Sequence, residues 1–166
     1  MEVWKDIKGY EGMYKISSYG NVMSLKKSKP RILKPCANDR GYLLICLCKN
    51  GHIKTQRMAR LVAKAFIANP DKLPEVNHKD GNVLNNNVNN LEWVSRRENN
   101  THMCMLYKKS SKYPYVSKYG KNRWIANITI NNKSMSKVFN KAKDAYDYAV
   151  KLCKRHNIND RYLTMN

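Results

Sequence analysis

The sequence has no apolar run that approaches the roughly 20 residues of a membrane-spanning helix. No apolar segment follows Met1 as it would in a secretory signal, so we expect neither membrane insertion nor secretion. No internal repeat is evident. The five cysteines are odd in number and have no CxxC spacing, which argues against a zinc ribbon and against a disulfide framework. We expect a reduced cytoplasm and cysteines that act as small buried hydrophobic residues, at Cys36, Cys46, Cys48, Cys104 and Cys153.

Acidic residues are also scarce, with 12 Asp and Glu against 32 Lys and Arg, and the formal net charge is +20. The net charge is +9 over residues 1–75, zero over 76–107 and +11 over 108–166. Basic flanks of this kind favour a long anionic partner, most often a nucleic acid. A membrane surface and a merely solubilising or ribosomal-type basic surface are the alternatives.

The first third of the chain predicts two hairpins and a helix. Alternating apolar and polar residues over 13–17 and 21–25 flank a Ser-Tyr-Gly turn. Residues 26–40 are expected to form a basic loop because they contain two prolines. A second hairpin is predicted from the apolar run 42–49, the turn Asn50-Gly51 and a partner strand over 52–56. An amphipathic helix then follows, with Met58, Leu61, Val62, Ala65 and Phe66 on one face.

The central stretch places a histidine among amides. Residues 75–79 predict a short strand ending near His78, and residues 82–90 form a loop with six asparagines. Residues 91–94 return as a second strand, and Ser95 with Glu98 forms a capping box for a helix over about 96–106. A histidine beside oxygen ligands suits metal-assisted hydrolysis.

The last third predicts a small sheet backed by one helix. Residues 108–112 read as a polar, charged linker. Trp124, Ala126, Ile128 and Ile130 alternate with more polar residues, residues 131–133 turn the chain, and 134–139 return. A helix is expected from about residue 141 to residue 156.

The central run VNHKDGN, followed by NNLEWV and then REN, resembles the HNH nuclease motif of the ββα-metal fold, in the form found in phage and intron homing endonucleases. The resemblance implies that His78 is the general base for the attacking water. It implies that Asn77 and Asn99 offer oxygens to one Mg²⁺ or Mn²⁺ ion, and that Asn90 braces the loop and orients His78. His102, three residues after Asn99, is a possible additional ligand of the metal or of a phosphate. Family members often have aspartate at the position of Asn77.

The roles implied by the resemblance agree with general chemistry. Attack by water on a phosphodiester needs a base with a pKa near the working pH, which histidine supplies. A hard divalent ion takes oxygen ligands and needs few from protein when phosphate supplies others.

The flanking segments carry two further resemblances. Residues 1–25 resemble the nuclease-associated module that often precedes this HNH type, and the helix residues RLVAKAF resemble the one that usually follows it. Residues 113–156 resemble, more weakly, the ethylene-response-factor (Apetala-type) DNA-binding domain, whose sheet lies in the major groove. The residues expected to contact DNA bases or phosphates are Arg57, Arg60, Lys118, Lys121, Arg123, Asn127, Thr129, Lys133 and Lys137.

We therefore expect an α+β protein with a ββα-metal core over 71–107. A basic N-terminal β module with one helix (1–70) precedes the core, and a three-stranded sheet plus helix (113–166) follows the linker. The expected function is metal-dependent hydrolysis of double-stranded DNA, with one strand nicked at a specific site by a monomer. We expect one divalent ion, no small-molecule cofactor and no membrane partner, in a protein of phage or mobile-element origin that works in the bacterial cytoplasm. The alternative is a non-catalytic DNA-binding regulator that uses the HNH fold as a scaffold.

Overall fold

The structure is a computed structural model that describes residues 1–107, 111 and 113–163. It divides into two compact units, Met1–Ser95 and Arg96–Asn166. The predicted linker 108–112 lies, except for Ser111, outside the described residues. The two units meet between Ser95 and Arg96. The module boundaries that the sequence places after residues 70 and 107 remain predictions.

The elements of the first unit are β1 (Trp4–Asp6), β2 (Tyr14–Ser17), β3 (Val22–Ser24), β4 (Arg31–Leu33), β5 (Cys36–Ala37), β6 (Leu43–Lys49), β7 (His52–Arg57), α1 (Met58–Phe66), β8 (Glu75–His78), a 3-10 turn (Val88–Asn90) and β9 (Leu91–Val94). The second unit contains α2 (Arg96–Leu106), β10 (Val116–Lys118), β11 (Trp124–Ile130), β12 (Lys133–Phe139), α3 (Ala142–Arg155) and a 3-10 turn (Arg161–Leu163).

Three antiparallel sheets make up the strand content of the first unit. Strands β1 to β4 pair in chain order, β5 to β7 form a second sheet, and β8 pairs with β9. Both predicted hairpins are present. Asn50 and Gly51 have φ values of +51° and +78°, the left-handed conformation that a two-residue hairpin turn of this type requires.

The predicted basic loop over 26–40 contains two short strands instead. Strand β4 pairs with β3, so that Leu33 faces Val22, and β5 pairs with β6, so that Cys36 faces Leu44. Strands of two or three residues carry little periodicity of their own. They form here because a neighbouring strand offers its backbone groups.

One hydrophobic core serves the whole of the first unit. It joins Ile16 of β2, Leu47 of β6, Val62 of α1 and Leu91 of β9, all at most 2% exposed. Helix α1 contributes its predicted face, with Met58, Leu61 and Val62 buried. The strand pair β8–β9 is thus packed into the same core as the N-terminal sheets.

The second unit has the predicted three-stranded sheet backed by one helix. Ala126, Ile128 and Ile130 of β11 are buried, whereas Asn127 and Thr129 between them are exposed. Helix α3 covers the buried face and adds five buried side chains to this core, Ala145, Tyr146, Ala149, Leu152 and Cys153.

The expectation for the cysteines is wrong in part. All five are free thiols, but Cys36 and Cys46 are exposed and only Cys153 is buried. Cys36 lies on the two-residue edge strand β5. Cys46 lies on the central strand β6 and points away from the core, because its neighbours Ile45 and Leu47 face inwards. None of the described helices is both long and apolar enough to cross a membrane.

Two isoleucines of the first sheet provide a matched test of the core. Ile16 is fully buried and Ile32 is 56% exposed. We expect Ile16→Ala to lower the free energy of unfolding by roughly 2–5 kcal/mol, because it opens a cavity. Ile32→Ala should change it by no more than about 0.5 kcal/mol. Urea unfolding followed by tryptophan fluorescence measures both, and equal effects would contradict the assigned core.

Candidate functional site

The site of interest begins with the strand pair β8–β9. Their antiparallel register places Asn77 opposite Glu92 and His78 opposite Leu91. Asn77 is 4% exposed and His78 is 5% exposed. Past the end of β8 the pairing continues, since the Lys79 amide donates to the Asn90 carbonyl at 2.8 Å. Both ends of the asparagine loop are therefore tied together beside His78.

The imidazole of His78 is oriented by Asn86. Its Nε2 lies 3.2 Å from Asn86 Oδ1, and Asn86 Nδ2 in turn donates to the Leu84 carbonyl at 3.2 Å. Because the amide nitrogen is directed at a carbonyl, the amide oxygen faces the ring, and Nε2 must carry the proton to donate to it. In neutral His78 the nitrogen with an available lone pair is then Nδ1. This is the atom able to accept a proton from a reacting group.

The environment keeps this ring neutral. Burial lowers the pKa of His78, and the hydrogen bond with Asn86 and the negative charge of Asp80 oppose that effect only in part. A histidine with a lowered pKa is unprotonated at neutral pH, which is the form that a general base requires. The ring of Tyr42 lies 6.2 Å from that of His78, and the guanidinium of Arg57 lies 4.8 Å from the centre of the Tyr42 ring.

Asn90 braces the loop through Asp80. Its Nδ2 donates to Asp80 Oδ1 at 2.9 Å and to the Asn85 carbonyl at 2.8 Å, and its Oδ1 accepts from the Asp80 amide at 3.1 Å. The motif predicts that Asn90 also orients His78, but the ring nitrogen is bonded by Asn86. Desolvation would raise the pKa of Asp80, but hydrogen bonds from Asn85, the Asn82 amide and Asn90 outweigh it and lower that pKa. Asp80 is therefore an anionic centre around which the loop folds.

Asn86 bonds the His78 ring, a contact that the sequence pattern does not predict. It is one of six asparagines within nine residues, and nothing in that run distinguishes it. A segment distant in the sequence contacts Asn86 and the residues beside it. A Cβ atom on Gly20 would lie 2.8 Å from Asn86 Cβ, and the Val88 amide donates to the Ser18 carbonyl at 2.8 Å. The N-terminal hairpin turn thus supports the residue that holds His78.

Asn77 is oriented by its cross-strand neighbour. Asn77 Nδ2 donates to Glu92 Oε1 at 2.9 Å, which fixes the plane of the amide. Of the two polar atoms of this side chain, the oxygen is the one with the chemistry of a cation ligand. No three His, Cys, Asp or Glu side chains gather to hold a metal ion in the described part of the chain. A divalent ion here would depend on amide oxygens, and the orientation of Asn77 fits that role.

The other two predicted ligands belong to the second unit. Asn99 and His102 lie on α2, one turn apart on the same side of the helix. Asn99 is half-buried and His102 is 7% exposed. Their roles at a metal remain predictions based on the motif.

The residues predicted to contact DNA are all exposed. Arg60 lies over the Trp93 ring at 5.6 Å, and Arg123 lies over the Tyr119 ring at 5.4 Å. Lys137 lies over the rings of Phe139 and Tyr148. Such contacts hold long cationic side chains in place at the surface.

Two segments of the chain match known families. Residues 2–48 match the NUMOD4 motif, and residues 60–101 match the family described as HNH endonuclease. The second match includes β8, the asparagine loop, β9 and the first half of α2.

The chain is also similar to individual proteins in sequence and in structure. The chain is 46% identical over 96 residues to DNA endonuclease I-HmuI of Bacillus phage SP01, a match that covers 58% of this chain and 54% of that protein. It is 43% identical over 99 residues to an uncharacterized HNH endonuclease of Acanthamoeba polyphaga mimivirus, covering 60% of this chain and 29% of that protein. The chain therefore spans about half, or less, of the length of these relatives. A solved structure described as DNA binding and cleavage by the HNH homing endonuclease I-HmuI matches with a TM-score of 0.54 at 29% identity, covering 96% of this chain and 94% of that one.

The contact between Gly20 and Asn86 can be tested against a matched glycine. Gly20 has φ +87° and Gly12 has φ +70°, but nothing lies within 4 Å of a Cβ added at Gly12. We expect both alanine variants to lose roughly 1–2 kcal/mol from left-handed strain. Only Gly20→Ala should also displace Asn86 and shift the ¹⁵N resonances of the His78 ring in NMR spectra. An unchanged His78 ring in Gly20→Ala would show that the turn does not support it.

Proposed function

We propose that this chain, which carries the NUMOD4 and HNH modules of the HNH homing endonuclease family, is a metal-dependent endonuclease that cuts one strand of double-stranded DNA at a specific site. The observation that carries the proposal is the neutral, buried His78, held through Nε2 by Asn86 and presenting Nδ1 as a proton acceptor. The relative I-HmuI is described as binding and cleaving DNA, which supports the same activity here.

In the proposed reaction, His78 Nδ1 takes a proton from the water that attacks the scissile phosphorus. The bond between phosphorus and the leaving oxygen then breaks. Asn86 holds the ring in the required tautomer, and Asn90 keeps the Asp80 loop closed against β8. Burial of His78 favours its neutral form and so keeps it able to accept that proton.

Asn77 and Asn99 are the proposed ligands of one Mg²⁺ or Mn²⁺ ion, with His102 as an additional ligand of the metal or a phosphate. Such an ion, when bound, supplies positive charge that stabilises the leaving oxygen. Glu92 supports this role by directing the Asn77 amide oxygen away from its own carboxylate. No small-molecule cofactor is proposed.

We assign DNA binding to the basic flanks, residues 1–75 and 108–166, because the central segment 76–107 has no net charge. Arg57 and Arg60 would contact phosphates near the site, and the C-terminal sheet would act as an ethylene-response-factor-like DNA-binding surface. On its exposed face, Asn127 and Thr129 lie on β11 opposite Ser136 and Ser134 of β12. Uncharged polar groups of this kind suit contacts with base edges. Cationic residues at the margins suit phosphate contacts, as proposed for Lys118, Lys121, Arg123, Lys133 and Lys137.

A single His78 per chain supports nicking by a monomer, because each binding event would bring one general base to one strand. The similarity to a Bacillus phage protein supports an origin in a phage or mobile element and action inside a bacterial host.

Cleavage can be tested with supercoiled plasmid in Mg²⁺ or Mn²⁺, with and without the DNA that flanks the gene of this chain. We expect the wild type to form open circles and His78→Ala to be slower by about 10²–10⁴-fold, because the general base is lost. His52→Ala, which changes an exposed histidine of β7, is the matched control and should cut normally. If the wild type binds DNA but never opens the plasmid, the non-catalytic regulator is the better description.

The proposed DNA contacts predict a steep dependence of affinity on salt. If six or more phosphates are neutralised, the affinity should fall on the order of 10³-fold between 50 and 200 mM salt. The double variant Lys133→Ala, Lys137→Ala should reduce the slope of log affinity against log salt by about two. Lys143→Ala, whose ammonium pairs with Asp147 on α3 at 3.3 Å, should leave the slope unchanged. Fluorescence anisotropy with labelled duplex measures all three, and a flat dependence would exclude the proposed phosphate contacts.

A further inference from the structure

Helix α2 carries the proposed metal ligand Asn99, yet it is held in place by polar contacts. Its buried residues are Glu98, Thr101 and His102, all polar. No residue of this helix belongs to either hydrophobic core. The position of α2 must therefore depend on hydrogen bonds and ion pairs to a greater degree than that of α1 or α3.

Three of these contacts join α2 to the C-terminal segment. Arg97 Nη2 donates to the Thr129 carbonyl of β11 at 2.7 Å. Arg161 Nε donates to Glu98 Oε1 at 2.8 Å. Thr101 Oγ1 lies 2.6 Å from Asp160 Oδ2. The residues that follow α3, and the strand at the centre of the sheet, thus hold the helix of the nuclease motif.

Asp160 is the centre of the most buried of these contacts. It is 5% exposed, and the same Oδ2 atom accepts from Tyr115 Oη at 2.8 Å and from Thr101 Oγ1. The two hydroxyl oxygens lie 3.2 Å apart. Each hydroxyl has one proton, and the carboxylate is the strongest acceptor present, so both donate to Asp160. Burial raises the pKa of Tyr115, which keeps that hydroxyl protonated and donating.

The helical geometry places this contact behind the proposed metal ligand. Arg97 and Thr101 are four residues apart and share a face of α2. At 3.6 residues per turn, Asn99 lies about 160° around the helix axis from Thr101. A shift or rotation of the helix at Thr101 would therefore move the Asn99 side chain directly.

We propose that Thr101, Asp160 and Tyr115 form a positioning cluster through which the residue before β10 and the segment after α3 set the rotation of α2 and so the placement of Asn99. The inference rests on the proposed function, because it takes Asn99 as a metal ligand. DNA contacts on the C-terminal sheet and this ligand then belong to one connected unit. Thr101, Tyr115 and Asp160 are positioning residues and touch neither metal nor substrate.

The test compares substitutions at Thr101 that have similar size and different hydrogen bonding. Thr101→Val removes the hydroxyl and keeps the shape, whereas Thr101→Ser keeps the hydroxyl. Tyr115→Phe removes the second donor from the opposite side of the cluster. Tyr14→Phe is the matched control, because Tyr14 is buried in the core of the first unit and its hydroxyl accepts from the Cys48 amide at 3.1 Å within that unit.

Three measurements are made on each variant of the whole chain. In single-turnover cleavage, Thr101→Val and Tyr115→Phe should each raise the Mn²⁺ concentration for half-maximal rate by roughly tenfold, the lower end of the effect of outer-shell substitutions on metal affinity. Affinity for DNA without metal should stay within twofold of the wild type. In metal-free protein, the backbone amides of α2 should exchange with solvent at least about tenfold faster in both variants. Thr101→Ser and Tyr14→Phe should match the wild type in metal requirement and in α2 exchange.

The cleavage and exchange measurements separate this inference from the proposed function. If the wild type does not cut DNA, the proposed function fails, and exchange in α2 still decides whether the cluster positions the helix. The inference is overturned if Thr101→Val leaves α2 exchange and metal requirement unchanged, or if Tyr14→Phe alters them equally.

Discussion

The candidate site depends above all on the register of β8 against β9. That register places Asn77 beside Glu92 and His78 beside Leu91, and it joins the ends of the asparagine loop. Successive side chains of a strand point to opposite faces, so a slip of one residue would exchange the positions of Asn77 and His78. Leu91 opposes such a slip, because it is 2% exposed in the core shared with α1 and the N-terminal sheets. The hydrophobic core of the first unit thus secures the polar geometry of the site.

In each unit, one segment is held in place mainly by hydrogen bonds and not by apolar packing. The loop between β8 and β9 folds around Asp80, which accepts from Asn82, Asn85 and Asn90. Helix α2 is held in the same manner around Asp160 in the second unit. Polar networks of this kind specify geometry closely when every member is satisfied.

Net charge is distributed unevenly along the chain. The central segment is neutral overall, and the net charges of +9 and +11 lie on either side of it. Under the proposed function, the flanks attract DNA and the centre supplies the general base and the amide ligands. Neutral ligands such as Asn77 and Asn99 would attract a divalent ion less strongly than carboxylates, so negative charge from a bound phosphate would add to the site.

The sequence by itself determined the hairpins, the three helices, the alternation in the C-terminal sheet and the motif centred on His78, because these depend on local periodicity and on residue types at short spacing. It also identified Asn90 as a residue that braces the loop. Only the tertiary structure decided that Asn86 bonds the His78 ring, that Gly20 presses against Asn86, and that Glu92 orients Asn77. Likewise, β4 and β5 form on neighbouring strands, and α2 is held by Asp160, 59 residues beyond Thr101. These contacts join segments that are far apart in the chain, and no spacing within either segment indicates its partner.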